Sequence, residues 1–421
     1  MSTKKKLTGY PSIDKPWLKY YSEEAINAPL PECTMYEYIY ELNQDNLDRV
    51  AINYYGTNMT YGELFDNISE VAGALENLGV KEGDIVTVCM INSPETISLI
   101  FALNKIGATA NMIYGVSTVD EIKKYLMDTN TKIVFALDIF QEKFTAIVNE
   151  LPIQKVIIAN MTQSMAETEA AAGNMQPIPL PDDSRFISWN AFMENKRCGT
   201  TVCHNPEGIA VINYTGGTTG GSKGVMLSNK AVVSVAWQYC HRNTPMSRES
   251  TWILVLPLFI AYGVACGLMF PLAIGMTVIV RNPMAEPISE LCKKFQPNYI
   301  MYGPAFWEAF ADENLDLDLS YLIDPVSGGD MLHPNVEEKI NRYLEEHGSQ
   351  YKIMNGYGMT ETAAAVCINY KNAYEAGSVG IPYVKNIISA FDTENGKERK
   401  FGEVGEICIH TPSMMVGYIN N

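Results

Sequence analysis

From about Val50 onward, short apolar runs alternate with segments whose apolar positions recur at helical spacing. Ile85-Val86-Thr87-Val88-Cys89-Met90 and Lys132 to Leu137 read as strands. Pro94 to Ile106 reads as a helix: Ser93 is placed to cap it, Pro94 suits its first position, and Gly107 stops it. Strands that alternate with helices imply an α/β fold with mostly parallel sheets. The pattern then changes twice. Met161 to Asp183 is rich in Ala, Glu, Gln and Pro, and reads as a surface excursion or a linker between subdomains. After Cys367 only short β-like runs remain, such as Gly405-Glu406-Ile407-Cys408-Ile409-His410. The expected organisation is a lead-in over 1–45 with one or two short helices, an α/β subdomain over 46–183, a second over 184–366, and a small β-rich, distorted-barrel subdomain over 367–421. The two α/β subdomains should stack, with the ligand site between them.

Ile253 to Val280 contains no charged residue and is long enough to span a bilayer. Pro257, Gly263, Gly267, Pro271 and Gly275 cut it into pieces, so a strand, a loop, a buried helix and a second strand explain it better. No apolar stretch follows Lys4-Lys5-Lys6, so no secretory signal is expected. The nine cysteines form no repeated paired spacing. Cys198, Cys203 and His204 cluster, but zinc wants four ligands and no second pair lies nearby. Reduced thiols in a cytoplasmic protein are the expectation. A formal net charge of −17 argues against nucleic acid and anionic membrane surfaces as partners. A homodimer is left open.

The strongest chemical signal is Tyr214-Thr215-Gly216-Gly217-Thr218-Thr219-Gly220-Gly221-Ser222-Lys223-Gly224-Val225, which follows the strand-like run Ile209-Ala210-Val211-Ile212. Such a density of glycine and threonine suits neither a helix nor a packed strand. Glycines let backbone N–H groups crowd around an anion, the hydroxyls add donors, and Lys223 adds charge, so the matching ligand is a polyphosphate. It is not a Walker A loop: Ser222, not glycine, precedes the lysine, and Gly224 follows it.

The stretch resembles the Y-T-S-G-T-T-G-x-P-K-G-V signature of the adenylate-forming superfamily, which includes acyl- and aryl-CoA synthetases, peptide-synthetase adenylation domains and luciferase. Gly216 stands where that signature has Ser, Ser222 where it has Pro, and Asn229 where the family has His. The missing proline should leave loop 215–223 poorly ordered without nucleotide. Asn355-Gly356-Tyr357-Gly358-Met359-Thr360-Glu361 resembles the family's N-x-Y-G-x-T-E at every defined position. Thr60 to Leu64, Gly83-Asp84 with Asn92 to Glu95, Pro257 to Gly263, Ser327-Gly328-Gly329-Asp330, Gly377 to Gly380, and Gly405 to Ile407 with Gly417-Tyr418 resemble further family elements in the family's order.

The resemblance implies ATP-dependent activation of a small carboxylic acid as acyl-AMP, with pyrophosphate released, and then thioester formation with coenzyme A. It implies that Thr215, Gly216, Gly217, Thr218, Thr219, Gly220 and Lys223 hold the pyrophosphate end. Gly329, Asp330, Asn355, Gly356 and Tyr357 would hold the adenine, Thr360 the α-phosphate, and Glu361 the Mg2+. Lys223, Thr360 and Glu361 are then the catalytic candidates, and Tyr262, Gly358 and Met359 the acyl-pocket candidates. Ile260 replaces the family's His, where amino-acid-activating members resemble one another in having an Asp for the substrate ammonium. A site with Ile should take an uncharged acyl or aryl chain instead. The chain ends at Asn421, before the family's T-G-D motif, hinge and mobile domain with its lysine. Residues 1–421 alone are therefore expected to bind ATP weakly and form no thioester at a useful rate. The alternatives are transfer to a carrier protein, or a nucleotide-binding module without catalysis.

Overall fold

The computed structural model describes residues 7–420, apart from 174–175, 200, 217–220, 243 and 283–285. A hairpin opens the regular structure, with β1 (Val50–Tyr54) and β2 (Thr57–Thr60). Then follow β3 (Ile85–Cys89), β4 (Thr109–Met112), β5 (Ile133–Leu137), β6 (Lys155–Ala159), β7 (Phe186–Ser188), β8 (Ile209–Tyr214) and β9 (Gly224–Ser228). The next group is β10 (Thr251–Leu254), β11 (Thr277–Val280), β12 (Tyr299–Tyr302), β13 (Asp324–Ser327), β14 (Met354–Met359), β15 (Ala364–Ile368) and β16 (Ile381–Pro382). Last come β17 (Ile387–Phe391), β18 (Glu406–His410) and β19 (Gly417–Tyr418).

These strands make two large sheets and one small one. The first has the order β19-β9-β8-β4-β3-β5-β6-β7, parallel from β8 to β7. The second has the order β16-β15-β14-β13-β12-β10-β11-β1-β2, parallel from β14 to β1. β17 and β18 pair antiparallel as a two-stranded sheet after Cys367. The fold is thus α/β with two largely parallel sheets and a small antiparallel one. Strands β3 to β6 are buried along nearly their whole length, as expected where helices cover both faces of a parallel sheet.

The sheets do not follow the division expected at residues 183 and 184. β8 and β9, which flank the phosphate loop, join the first sheet through β4. β1 and β2 join the second through β11. Residues 161–183 do not link two sheets either. They leave and re-enter the first sheet between the neighbouring strands β6 and β7. They are tied down by Tyr54 Oη donating to Met161 O and by Gln141 Nε2 donating to Pro179 O.

Helix Pro94–Lys105 is capped by Ser93 and buried at every position. It and helix Asn229–Cys240 lie in one apolar core that reaches strands of both sheets. The lead-in contributes to that core through helix Met35–Leu42, whose first N–H groups donate to Asn229 Oδ1 and Asn104 Oδ1. Asn229, where the family has His, is thus a buried junction between lead-in and core. The uncharged stretch from Ile253 resolves into β10, a π-helical turn over Gly263–Met269, helix Phe270–Ile274 and β11. Among the described residues no helix is long and apolar enough to cross a membrane, and no metal-ligating cluster forms. His204 pairs with Glu37 at 3.0 Å, and all nine cysteines are free thiols.

Candidate functional site

Every candidate element leaves the C-terminal end of a parallel strand, where loops converge and backbone polar groups are free for a ligand. The phosphate loop follows β8. Residues 217–220, with the candidates Gly217, Thr218, Thr219 and Gly220 and most of the expected mobile segment, lie outside the described residues. The base of the loop is well defined. Thr215 N–H donates to Lys223 O at 3.0 Å, and Lys223 N–H donates to Thr215 Oγ1 at 3.3 Å. Ser222 Oγ donates to Thr215 O at 2.7 Å, so the residue that replaces the family's proline staples the loop by a hydrogen bond instead.

The adenine candidates lie in the turn after β13 (Gly329, Asp330) and on β14 (Asn355, Gly356, Tyr357). Gly329 has φ +86, which favours glycine. A Cβ on Gly358 would lie 1.7 Å from Ala364 O, so the β14–β15 pair closes only around glycine. Asn355 is buried. Its Nδ2 donates to Ser378 O at 3.2 Å, while Oδ1 has no partner among the described residues. An orphaned buried carbonyl oxygen is costly, and an exocyclic amino group such as that of adenine would satisfy it.

Thr360 and Glu361 occupy a short 3-10 turn after β14. Ala363 and Ala364, the next residues, both have positive φ (55 and 125), which strains the backbone beside the candidate catalytic pair. Thr362 Oγ1 holds this turn by donating to Met359 O and Ala364 O, both at 3.0 Å. Tyr418, on the edge strand β19, connects the turn to the phosphate loop. Its Oη donates to Glu361 Oε1 at 2.7 Å, and Lys223 Nζ lies 4.8 Å from the centre of its ring. The hydrogen bond to Glu361 pushes the Tyr418 phenol above its usual value, so it remains a donor.

Between these elements lies a cavity of 290 Å³. Gly216, Gly329, Gly356, Tyr357, Gly358, Met359 and Thr360 border one side of it. Ile260, Tyr262, Met301, Val326, Ala365, Ile368, Tyr239 and Tyr383 border the rest. No charged side chain lines it among the described residues. Tyr214, Gly216 and Ile260 also border a second opening of 430 Å³, whose mouth carries Tyr114 stacked on Phe259 at 4.3 Å across the two sheets. A larger hollow of 590 Å³ beside Lys19, His241 and Arg242 contains none of the candidates.

Thr215, Gly216, Lys223, Tyr262, Gly329, the Asn355–Thr360 run and Glu361 therefore gather around one cleft. Asp330 does not. It is exposed, and its carboxylate accepts from the backbone N–H of Met331 in its own turn. Tyr239, Tyr383 and Tyr418 were not among the sequence candidates for the site. Gly417-Tyr418 carried a signal as a family-like dipeptide, whereas nothing around Tyr239 or Tyr383 marks them.

A profile of the AMP-binding enzyme family matches residues 40–419. A probable 4-coumarate–CoA ligase of Dictyostelium discoideum is 27% identical over 96% of this chain and 73% of its own length. A long-chain-fatty-acid–CoA ligase of Bacillus subtilis is 25% identical, over 96% and 74%. Among solved structures, a long-chain-fatty-acid–CoA ligase from Archaeoglobus fulgidus superposes with a TM-score of 0.80 at 21% identity, covering 99% of this chain and 79% of that one. An anthranilate–CoA ligase in complex with anthranoyl-AMP superposes with a TM-score of 0.79 at 21% identity, covering 94% and 73%. With nine-tenths of its length matched to one profile and its candidate motifs gathered around one cleft, the chain belongs to the AMP-binding enzyme family.

Proposed function

We propose that the protein activates an uncharged-chain carboxylic acid as its adenylate and transfers the acyl group to coenzyme A. The observation that carries this reading is one cavity without charged walls that meets Thr360 and Gly216, with Glu361 next to Thr360 in the chain and tied to Tyr418. A carboxylate of the acid attacks the α-phosphorus of ATP, and pyrophosphate leaves. The thiol of coenzyme A then attacks the acyl carbon, and AMP leaves. In the first step little covalent work falls to the protein; positioning and compensation of phosphate charge dominate. Lys223 offsets charge on the departing pyrophosphate, and Thr360 donates to an α-phosphate oxygen. Asn355 Oδ1 accepts from the adenine amino group, and the Tyr357 ring lies against the base. Glu361 fits a divalent cation: Tyr418 engages one of its oxygens, and the other has no protein partner among the described residues. Mg2+ bound there would neutralise phosphate charge. The second opening, which shares Tyr214, Gly216 and Ile260 with the main cavity, gives the thiol a route to the acyl carbon.

Ile260 supports an uncharged acyl chain, because an ammonium buried against it would have no counter-ion. The test is ATP–pyrophosphate exchange with a panel of aliphatic, aryl and amino acids. Acid-dependent exchange with aliphatic or aryl acids, but not α-amino acids, is expected. No exchange with any acid would remove the catalytic reading and leave a nucleotide-binding module.

A further inference from the structure

One wall of the cavity is held from outside by a buried acid that the proposed chemistry does not touch. Glu337, on helix Pro334–Glu346, is 1% exposed, and no cation pairs with its carboxylate among the described residues. Its two oxygens are divided between two donors from one surface turn. Tyr374 Oη donates to Oε1 at 2.5 Å, and Gly377 N–H donates to Oε2 at 2.7 Å. Burial first, and then the hydrogen bond to this carboxylate, hold the Tyr374 phenol well above its usual range, so it stays a donor. Asn341, one turn further along the helix, donates to the same phenol oxygen at 2.9 Å and accepts from Ile353 N–H at 2.8 Å just before β14. The turn is otherwise open to solvent: Glu375, Ala376, Gly377 and Val379 are exposed, and Gly377 needs φ +74. A buried carboxylate without a cation is costly, and here both of its oxygens go to fixing this turn.

What the turn delivers is the Ser378 carbonyl. It accepts from Asn355 Nδ2 at 3.2 Å and from Asn369 Nδ2 at 3.0 Å, and Asn369 N–H donates to Asn355 O at 2.8 Å. Both asparagines are buried. An acceptor at that point fixes which end of the Asn355 amide faces it. Asn355 is followed on β14 by Gly356 and Tyr357, which line the cavity. Resting on the adenylation reading above, we infer that Glu337 is a positioning residue for the nucleotide side of the site: it fixes the 374–378 turn, and through Ser378 and Asn355 it sets Gly356 and Tyr357 against the base. Glu337 borders neither opening of the site, so it acts only through this chain of hydrogen bonds.

The test uses the full chain, with ATP binding measured by calorimetry and ATP–pyrophosphate exchange resolved into KM values for ATP, pyrophosphate and acid. Glu337→Ala frees the turn and should raise the Kd and KM for ATP about tenfold, with the KM values for pyrophosphate and acid within about threefold of the parent. Glu337→Gln keeps an acceptor for Gly377 N–H and should bring ATP back to within about threefold of the parent. Tyr374→Phe removes one of the two donors and should weaken ATP binding about threefold; it carries the test if Glu337→Ala does not fold. A loss of thermal stability in Glu337→Ala with ATP binding unchanged, a parallel rise of all three KM values, a glutamine variant no better than the alanine one, or ATP binding unaltered by Tyr374→Phe would overturn the inference. A parent chain that binds ATP but shows no acid-dependent exchange would remove the adenylation reading, while the binding data still decide the inference. A parent chain that binds no ATP would overturn both.

Discussion

On the side proposed for the nucleotide the cavity is walled largely by glycine backbone, with Tyr357, Met359 and Thr360; on the side proposed for the acid it is walled by side chains. Gly216, Gly328, Gly329 and Gly356 face the first region, and Gly358, an acyl-pocket candidate on the same strand as Gly356, has no room for even a Cβ. Tyr239, Tyr262, Met301, Val326, Ile368 and Tyr383 face the second. Backbone walls are shaped by dihedral angles and close approach, so almost any substitution deforms them. Side-chain walls change shape by substitution while the strands behind them stay paired. The contrast explains how one fold keeps its nucleotide site and varies its acid, and it assigns different consequences to mutations at the two ends.

The largest expected effect belongs to the nucleotide end. Glu361→Gln should lower pyrophosphate exchange by about 100-fold to 1,000-fold, the usual scale for losing one electrostatic contact to a charged transition state, while thermal melting stays at the parent value. Exchange within about threefold of the parent would make Glu361 an ordinary turn residue. Next comes Gly358→Ala. With Ala364 O 1.7 Å from the new methyl, the β14–β15 pair must shift, and denaturant unfolding should show a loss of about 3 kcal/mol together with the loss of nucleotide binding. A loss under about 1 kcal/mol would mean that the backbone wall yields, and the contrast between the two ends would fail.

Tyr418→Phe probes the joint between the base of the phosphate loop and Glu361, the carboxylate proposed for the metal. It removes one hydrogen bond to a charged group, and exchange should fall about tenfold, with the loss in kcat more than in KM for the acid. A rise only in the KM for the acid would place Tyr418 at the wrong end of the cavity. The smallest effect is expected from Val326→Ala at the acyl end. It should cost about 1 kcal/mol or less of binding for the preferred acid and favour a slightly larger one, with the KM for ATP unchanged. A parallel change in the KM for ATP would show the two ends to be coupled.

Much of this was legible because it is local. Helix Pro94–Lys105 lies within one residue of its expected range, since Ser93, Pro94 and Gly107 act on their own neighbours. The loop over 214–225 pointed to an anion by its composition and the Asn355–Glu361 run by its resemblance to a family motif, each within a few consecutive residues. The division at residues 183 and 184 failed as a guide to the sheets because strand partners are chosen across long separations. Nothing near Val50 announces that β1 pairs with β11, or near Ile209 that β8 pairs with β4. Asp330 was expected in the site because Ser327-Gly328-Gly329-Asp330 resembles a family turn, yet its carboxylate accepts from the N–H of Met331 in its own turn.

What the sequence alone determined is therefore the class of fold and the family's motifs, with candidate residues for the metal and phosphate contacts, all written in contiguous patterns. The tertiary structure decided the rest. It brought Tyr418 from the last strand to Glu361, let Ser222 replace a proline with a hydrogen bond, and set Tyr239 and Tyr383 behind one cavity although 144 residues separate them in the chain. A side chain that acts only through distant neighbours carries no local pattern. Its role exists only once hydrophobic burial has closed the two sheets around a common core.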